Sequence, residues 1–297
     1  MGKTMKVEGI IPAMLTPFTE KGEVDGNGIR ENVDFLIENG VSGIMCIGST
    51  GEAAALTKEE RIEVIETTVK ATKGRVPVMA GTGAPTTKEV IEKSKEAKNA
   101  GADLVMIVTP FYEIPNQEGL YRHYATIAET VDIPIVMYNI PPHTNVEIRL
   151  PTLERLVKIG NIVALKDSSG NLSYFAEVML RVGDKIGVLT GGDDITLPCF
   201  ALGCHGAILA LCNIAPRMVV DLYQAVQKKE LEKALQLYYQ LLPIARAIST
   251  SENFPAPLKE AVNMLGRPAG PARSPIMPVD ETEKATIRKA LKAANLL

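Results

Sequence analysis

Tryptophan is absent from the 297 residues, histidine occurs three times (His123, His143, His205) and cysteine four times. The missing tryptophan carries no functional information. Cys46, Cys199, Cys204 and Cys212 form no C-x-x-C pair and stand at no zinc-site spacing to the histidines. Buried free thiols are therefore expected, with no metal or redox centre. No apolar run approaches the roughly 18 residues of a membrane span, and residues 1–9 lack the apolar core of a secretory signal. Those absences predict a cytoplasmic protein with no membrane partner. Charge of one sign is also scarce: 32 Lys and Arg against 35 Asp and Glu leave a net charge of -3 with no long run of either. That offers no footprint for nucleic acid. What is present is an ordinary globular composition, 46% hydrophobic and 23% charged, suited to one large domain with an appendage that binds small molecules.

Short runs rich in Val, Ile and Met recur at 9–15, 43–47, 76–80, 104–108, 135–138, 162–165, 186–189 and 206–209. Each reads as a buried strand. Between them, segments such as 58–72, 88–100, 117–131 and 172–182 show helical spacing. Thr57-Lys58-Glu59-Glu60 has the form of a capping box, Thr87 precedes Lys88-Glu89-Val90 in a similar way, and Gly101 marks a stop. Strand and helix alternate with a period of about thirty residues, the size of one βαβ unit. Such a chain closes as a (β/α)8 barrel or spreads as a doubly wound sheet, and eight strands favour the barrel. After Pro216 the pattern becomes helix upon helix, at 218–227, 231–248, 256–265 and 281–294, with a Pro-rich stretch at 267–278. The expected fold is thus an α/β TIM barrel over 1–227 with a three-helix extension over 228–297, the latter serving packing or oligomer contacts.

The segment Asn161-Ile162-Val163-Ala164-Leu165-Lys166-Asp167-Ser168-Ser169-Gly170 passes abruptly from apolar residues to a lysine and then to turn formers. At the carboxyl end of a barrel strand, Lys166 would stand at the catalytic mouth as a partly desolvated amine. Taken alone, it reads as a lysine that snorkels from an exposed turn, as most lysines at strand ends do. Gly48-Ser49-Thr50-Gly51-Glu52 follows the second strand and offers N–H and O–H donors to an anion such as a carboxylate. Thr109-Pro110-Phe111-Tyr112 follows the fourth strand and Tyr138-Asn139-Ile140-Pro141-Pro142-His143 the fifth, placing two phenols at the same rim. A lysine that captures a carbonyl as a Schiff base needs proton transfer nearby, and Tyr138, Ser49 or Thr50, and Tyr112 would form that relay.

These pieces, with Gln117-Glu118-Gly119-Leu120-Tyr121 and Gly192-Asp193-Asp194, stand in an order that resembles the dihydrodipicolinate synthase and N-acetylneuraminate lyase superfamily across essentially the whole chain. The resemblance implies a (β/α)8 barrel with a carboxyl-terminal helical region, a homotetramer built as a dimer of dimers, and covalent pyruvate chemistry with no metal and no cofactor. It implies that Lys166 is the Schiff-base lysine, Tyr138 the proton shuttle, Ser49 and Thr50 the holders of the pyruvate carboxylate, and Ser49 also the relay hydroxyl. Tyr112 matches a relay tyrosine that reaches across from a neighbouring subunit, and Gly192 and Ile208 match positions lining the pyruvate pocket. The partners implied are pyruvate and an aldehyde or 2-oxo acid.

One position departs from the pattern. His143 stands where the synthases carry an arginine that binds the carboxylate of aspartate semialdehyde. An imidazole lacks the planar fork and is at most partly charged near neutrality. The aldehyde therefore stays open between aspartate semialdehyde and the hydroxylated aldehyde of a 2-keto-3-deoxy sugar-acid aldolase. Two further readings compete: a metal-dependent or phosphate-binding barrel enzyme, which the lack of a clustered His, Asp and Glu set opposes, and a non-catalytic binding protein.

Overall fold

The computed structural model describes residues 7–249 and 253–297. Strand and helix alternate as β1 (Gly9–Pro12), α1 (Gly26–Glu38), β2 (Ile44–Cys46), α2 (Lys58–Thr72), β3 (Val78–Gly81), α3 (Thr87–Asn99), β4 (Leu104–Val108) and α4 (Gln117–Thr130). They continue as β5 (Ile135–Asn139), α5 (Pro141–Thr144), α6 (Leu150–Leu156), β6 (Ile162–Asp167), α7 (Leu172–Val182), β7 (Gly187–Thr190), α8 (Thr196–Ala201) and β8 (Gly206–Leu209). Four helices complete the chain: α9 (Pro216–Gln227), α10 (Leu231–Ser249), α11 (Ala256–Met264) and α12 (Glu281–Ala293). All eight strand expectations fall on observed strands.

Every pairing is parallel, in the order β1-β8-β7-β6-β5-β4-β3-β2. A parallel bridge from Ala13 to Met45, with the Met14 N–H donating to Met45 O at 2.8 Å, brings β1 beside β2 and closes the barrel. Two apolar bodies follow from the period of two along each strand. One side of each strand points inward, where Ile11, Met45, Met79, Met106, Val136, Tyr138, Ala164, Leu189 and Ile208 fill the barrel. The other side packs against the surrounding helices in a second, larger body.

The helix starts have local causes. Thr57 caps α2 in a reciprocal box, its hydroxyl accepting from the Glu60 N–H while Glu60 accepts from the Thr57 N–H. For α3 the cap is Thr86, one residue earlier than expected, accepting from the Glu89 N–H at 3.3 Å. Thr87 is instead engaged by tertiary structure: its hydroxyl lies 2.9 Å from His123 Nδ1 on α4. The short α5, α6 and α8 carry too few turns to show a period, and the sequence pattern leaves them unmarked. Among the described residues no helix is long and apolar enough to cross a membrane.

Candidate active site

Tyr138 belongs to the inward-facing series of β5, two residues after Val136. On β6 the series is shifted by an irregularity: Ile135 pairs Ile162, but Val136 pairs Ala164, leaving Val163 as an extra residue. Such a bulge re-aims every side chain after it. Tyr138 is therefore opposite Lys166, where an unbroken register from Ile135 would have set Leu165. Lys166 is 6% exposed, and its Nζ lies 4.2 Å from the centre of the Tyr138 ring. The alternative in which Lys166 snorkels from an exposed turn does not hold, because β6 runs on to Asp167 and keeps the lysine within the barrel.

The next residue on each strand points outward. The Asn139 side-chain amide donates to Asp167 Oδ1 at 2.7 Å, and the Ser169 hydroxyl donates to Asp167 Oδ2 at 2.8 Å. Asn139 Oδ1 in turn accepts from the Ile148 N–H at 3.0 Å. Burial raises the Asp167 carboxyl above its usual range, and the Asn139 and Ser169 donors pull it back. This buried polar bracket ties the carboxyl ends of β5 and β6 together just behind Tyr138 and Lys166. A mainly hydrophobic core leaves no periodic trace of such a bracket, so the sequence marks neither Asn139 nor Asp167 as a site residue.

The Gly48–Glu52 turn rises from β2. Ile47 (φ 49°) and Glu52 (φ 54°) both adopt left-handed backbone, uncommon for any side chain and a true outlier for a β-branched one. A Cβ on Gly81 would collide with Ile47 O, so the neighbouring strand has to supply a glycine for that conformation. Thr16 fastens the turn from the loop after β1, its hydroxyl donating to Gly51 O at 2.7 Å. Ser49 is open and, with Tyr138, lines a cavity of 620 Å³ at the barrel mouth, whereas Thr50 is buried.

The remaining expected residues are spread around this rim. Ile208 lies in the inner barrel with Tyr138, and Gly192 donates its N–H to Thr190 Oγ1 at 3.2 Å in the turn after β7. A Cβ on Gly191 would strike Lys166 Cε and Ser168 Oγ, so glycine is what lets β7 close on the lysine. The Ser168 hydroxyl is buried there and has no hydrogen-bond partner among the described residues. Asp193, for which sequence reasoning assigned no role, accepts from the Leu211 N–H at 3.0 Å. Burial pushes its carboxyl up to about 6, against the pull of the Leu211 N–H and the positive charge of Lys166. Two expected residues are not gathered inward within one chain. Tyr112 is 90% exposed in left-handed backbone (φ 72°), and His143 is exposed on the single turn of α5.

The four cysteines are free and buried, and burial pushes the Cys46 thiol up to about 12. Such thiols are inert as nucleophiles.

An amine held at the carboxyl end of a barrel strand, against a phenol ring, is the equipment of an imine-forming enzyme, and the chain is a lyase of the Schiff-base-forming class. More narrowly, it belongs to the dihydrodipicolinate synthetase family, whose model matches residues 6–294. It is 42% identical over 284 residues to a 4-hydroxy-tetrahydrodipicolinate synthase of Methanothrix thermoacetophila, covering 95% of each chain. To the enzyme of that name from Methanocaldococcus jannaschii it is 43% identical over 291 residues, covering 98% of this chain and 99% of the relative. Among solved structures, a dihydrodipicolinate synthase from Acinetobacter baumannii complexed with pyruvate superposes with a TM-score of 0.95 at 34% identity, over 98% of this chain and 100% of the other.

Proposed function

We propose that this chain is a 4-hydroxy-tetrahydrodipicolinate synthase-type enzyme that joins pyruvate to aspartate semialdehyde through an imine on Lys166. The observation that carries the reading is the buried Nζ of Lys166, 4.2 Å from the Tyr138 ring at the barrel mouth. The names of the relatives and the pyruvate complex of the Acinetobacter baumannii enzyme support it. The Nζ lone pair attacks C2 of pyruvate to give a carbinolamine, and loss of water gives the imine. Tyr138 is the group to move protons on and off that oxygen and the methyl carbon, with Ser49 relaying them toward solvent. Removal of a methyl proton forms an enamine, whose carbon bonds to the aldehyde carbon as the aldehyde oxygen takes up a proton; the imine so re-formed is then cleaved at C2 by water or an amine of the product, which frees Lys166. Ser49 and Thr50 hold the pyruvate carboxylate, Gly192 and Ile208 bound its pocket, and His143 faces the incoming aldehyde.

Tyr112 stands out from its own chain at the rim, and its exposure suits a relay residue lent to a neighbour. We assign the active form as a homotetramer built from dimers that exchange Tyr112.

The second reading, a 2-keto-3-deoxy sugar-acid aldolase, is favoured by one observation. His143 stands where the synthases carry the arginine for the aldehyde carboxylate, and an imidazole can hydrogen-bond a hydroxyl of the aldehyde instead.

Treatment with pyruvate and borohydride should add one stable mass to Lys166 alone, and unlabelled protein would overturn the imine. A panel of aldehydes offered with pyruvate, read by product mass, separates the two readings.

A further inference from the structure

The carboxyl-terminal helices reach the barrel mouth through a buried charge. Lys259, in the first turns of α11, is 1% exposed, and its Nζ lies 2.6 Å from Oε1 of Glu52, the last residue of the Gly48–Glu52 turn. Nζ also donates to Pro271 O at 2.8 Å and stands 4.0 Å from the centre of the Phe18 ring. The other carboxylate oxygen of Glu52 accepts from the Arg273 N–H at 2.7 Å. Arg273 is itself anchored, forking onto Glu60 and donating to Gly22 O and Ala55 O. Every other ion pair among the described residues has its side chains more open to solvent than Lys259 and Glu52, at 2% and 4%.

Such a pair is a poor way to gain stability, since apolar side chains of the same volume would do as well or better. Its geometry suits a different task. Glu52 is in left-handed backbone, its N–H donates to Ser49 O at 3.1 Å, and the Ala53 N–H donates to Gly48 O at 3.1 Å. The turn that displays Ser49 and Thr50 is thus strained at both ends, and one of those ends is held by Lys259. Strain of this kind persists only where surrounding structure over-determines it.

We propose that Lys259 and Glu52 are positioning residues for pyruvate: their ion pair holds the Gly48–Glu52 turn in the shape that presents Ser49 and Thr50 to the carboxylate. The inference rests on the reading of those two residues as the carboxylate site. It gives the carboxyl-terminal region a part in substrate binding beyond packing.

Burial also lowers Lys259 to about 8, against the pull of Glu52, while Arg273 pushes in the same direction as burial. The charged groups facing it are Glu52 from the turn and Arg273 from the following loop, with Glu60 of α2 behind Arg273 and the Phe18 ring opposite. Once Lys259 loses its proton, Glu52 is left without its cation, and the grip on the turn weakens as pH rises through about 8.

The test is the pyruvate concentration that half-saturates borohydride labelling of Lys166, read by mass. Lys259→Met alone would strand a buried carboxylate, so the chief variant is Glu52→Gln with Lys259→Met, which leaves no lone charge. Half-saturation should rise about tenfold or more in that double variant, with the labelled fraction at saturating pyruvate unchanged. In the unmodified chain it should rise between about pH 7 and 9, and Lys259→Arg, which stays charged over that range, should remove the rise. An unchanged half-saturation in the double variant overturns the proposal. Should the double variant not fold, a pH profile that Lys259→Arg leaves unaltered overturns it equally. Failure of the unmodified chain to label at any pyruvate concentration instead overturns the imine reading, and this inference with it.

Discussion

Asn139 and Asp167 are joined by a 2.7 Å hydrogen bond on the outer side of the barrel, each one residue past the inward-facing Tyr138 and Lys166. Because successive residues of a strand face opposite ways, this bond fixes from behind the spacing of the phenol and the amine in front. Asp167→Ala leaves the Asn139 amide and the Ser169 hydroxyl without their acceptor and should cost about 1–3 kcal/mol of stability, seen as a lower denaturant midpoint. Asp167→Asn retains an acceptor for Asn139 and should lie much closer to the unmodified chain. A midpoint in Asp167→Ala equal to that of Asp167→Asn would show that the bracket contributes nothing.

Tyr138→Phe keeps the ring beside Lys166 and removes only the hydroxyl. Turnover should fall by about two to four orders of magnitude, the usual contribution of positioned proton transfer, with the thermal midpoint little changed. Near-normal turnover would move the proton shuttle to another residue.

Tyr112 gives a prediction that depends on which chain completes which site. When Tyr112→Phe and Lys166→Ala chains are unfolded, mixed and refolded together, a Tyr112 lent across the interface restores about a quarter of the sites, because half of the random pairs hold one intact site in two. Each variant alone, and any mixture in which Tyr112 serves its own chain, should stay at the activity of the parents.

His143 is exposed on its single helical turn, which moderates the effect expected from its chemistry. A solvent-screened ion pair contributes up to about 1 kcal/mol, so His143→Arg should lower the KM for aspartate semialdehyde by no more than about fivefold. An improvement of a hundredfold would mean that the position is desolvated in the assembled enzyme.

His123 makes stability depend on acid. It is 5% exposed, and burial lowers it from 6.5 to about 4. Between those values the unfolded chain binds a proton that the folded chain refuses, so stability is lost as pH falls from about 6.5 toward 4. The loss should be on the order of 3 kcal/mol over that window. His123→Asn, whose amide takes the place of Nδ1 and can keep the hydrogen bond to Thr87, should flatten this limb of the stability profile. An unaltered limb would assign the acid sensitivity to carboxylates.

The sequence by itself determined the eight strands, the barrel and the position of Lys166 in the chain, because strand burial and crossover helices leave periodic traces within about thirty residues. It also carried the Thr57 box, whose two partners are three residues apart. Tertiary structure decided the rest. The extra residue at Val163 is set by how β6 meets β5, yet it determines whether Lys166 or Leu165 stands opposite Tyr138. The cap of α3 is Thr86, while Thr87 is engaged by His123, which is distant in the chain. Lys259 pairs with Glu52 across more than two hundred residues, a separation over which no local pattern can specify a contact. Propensity and periodicity act between near neighbours, whereas the alignment of a strand and the burial of a charge depend on surfaces that exist only once the barrel has closed.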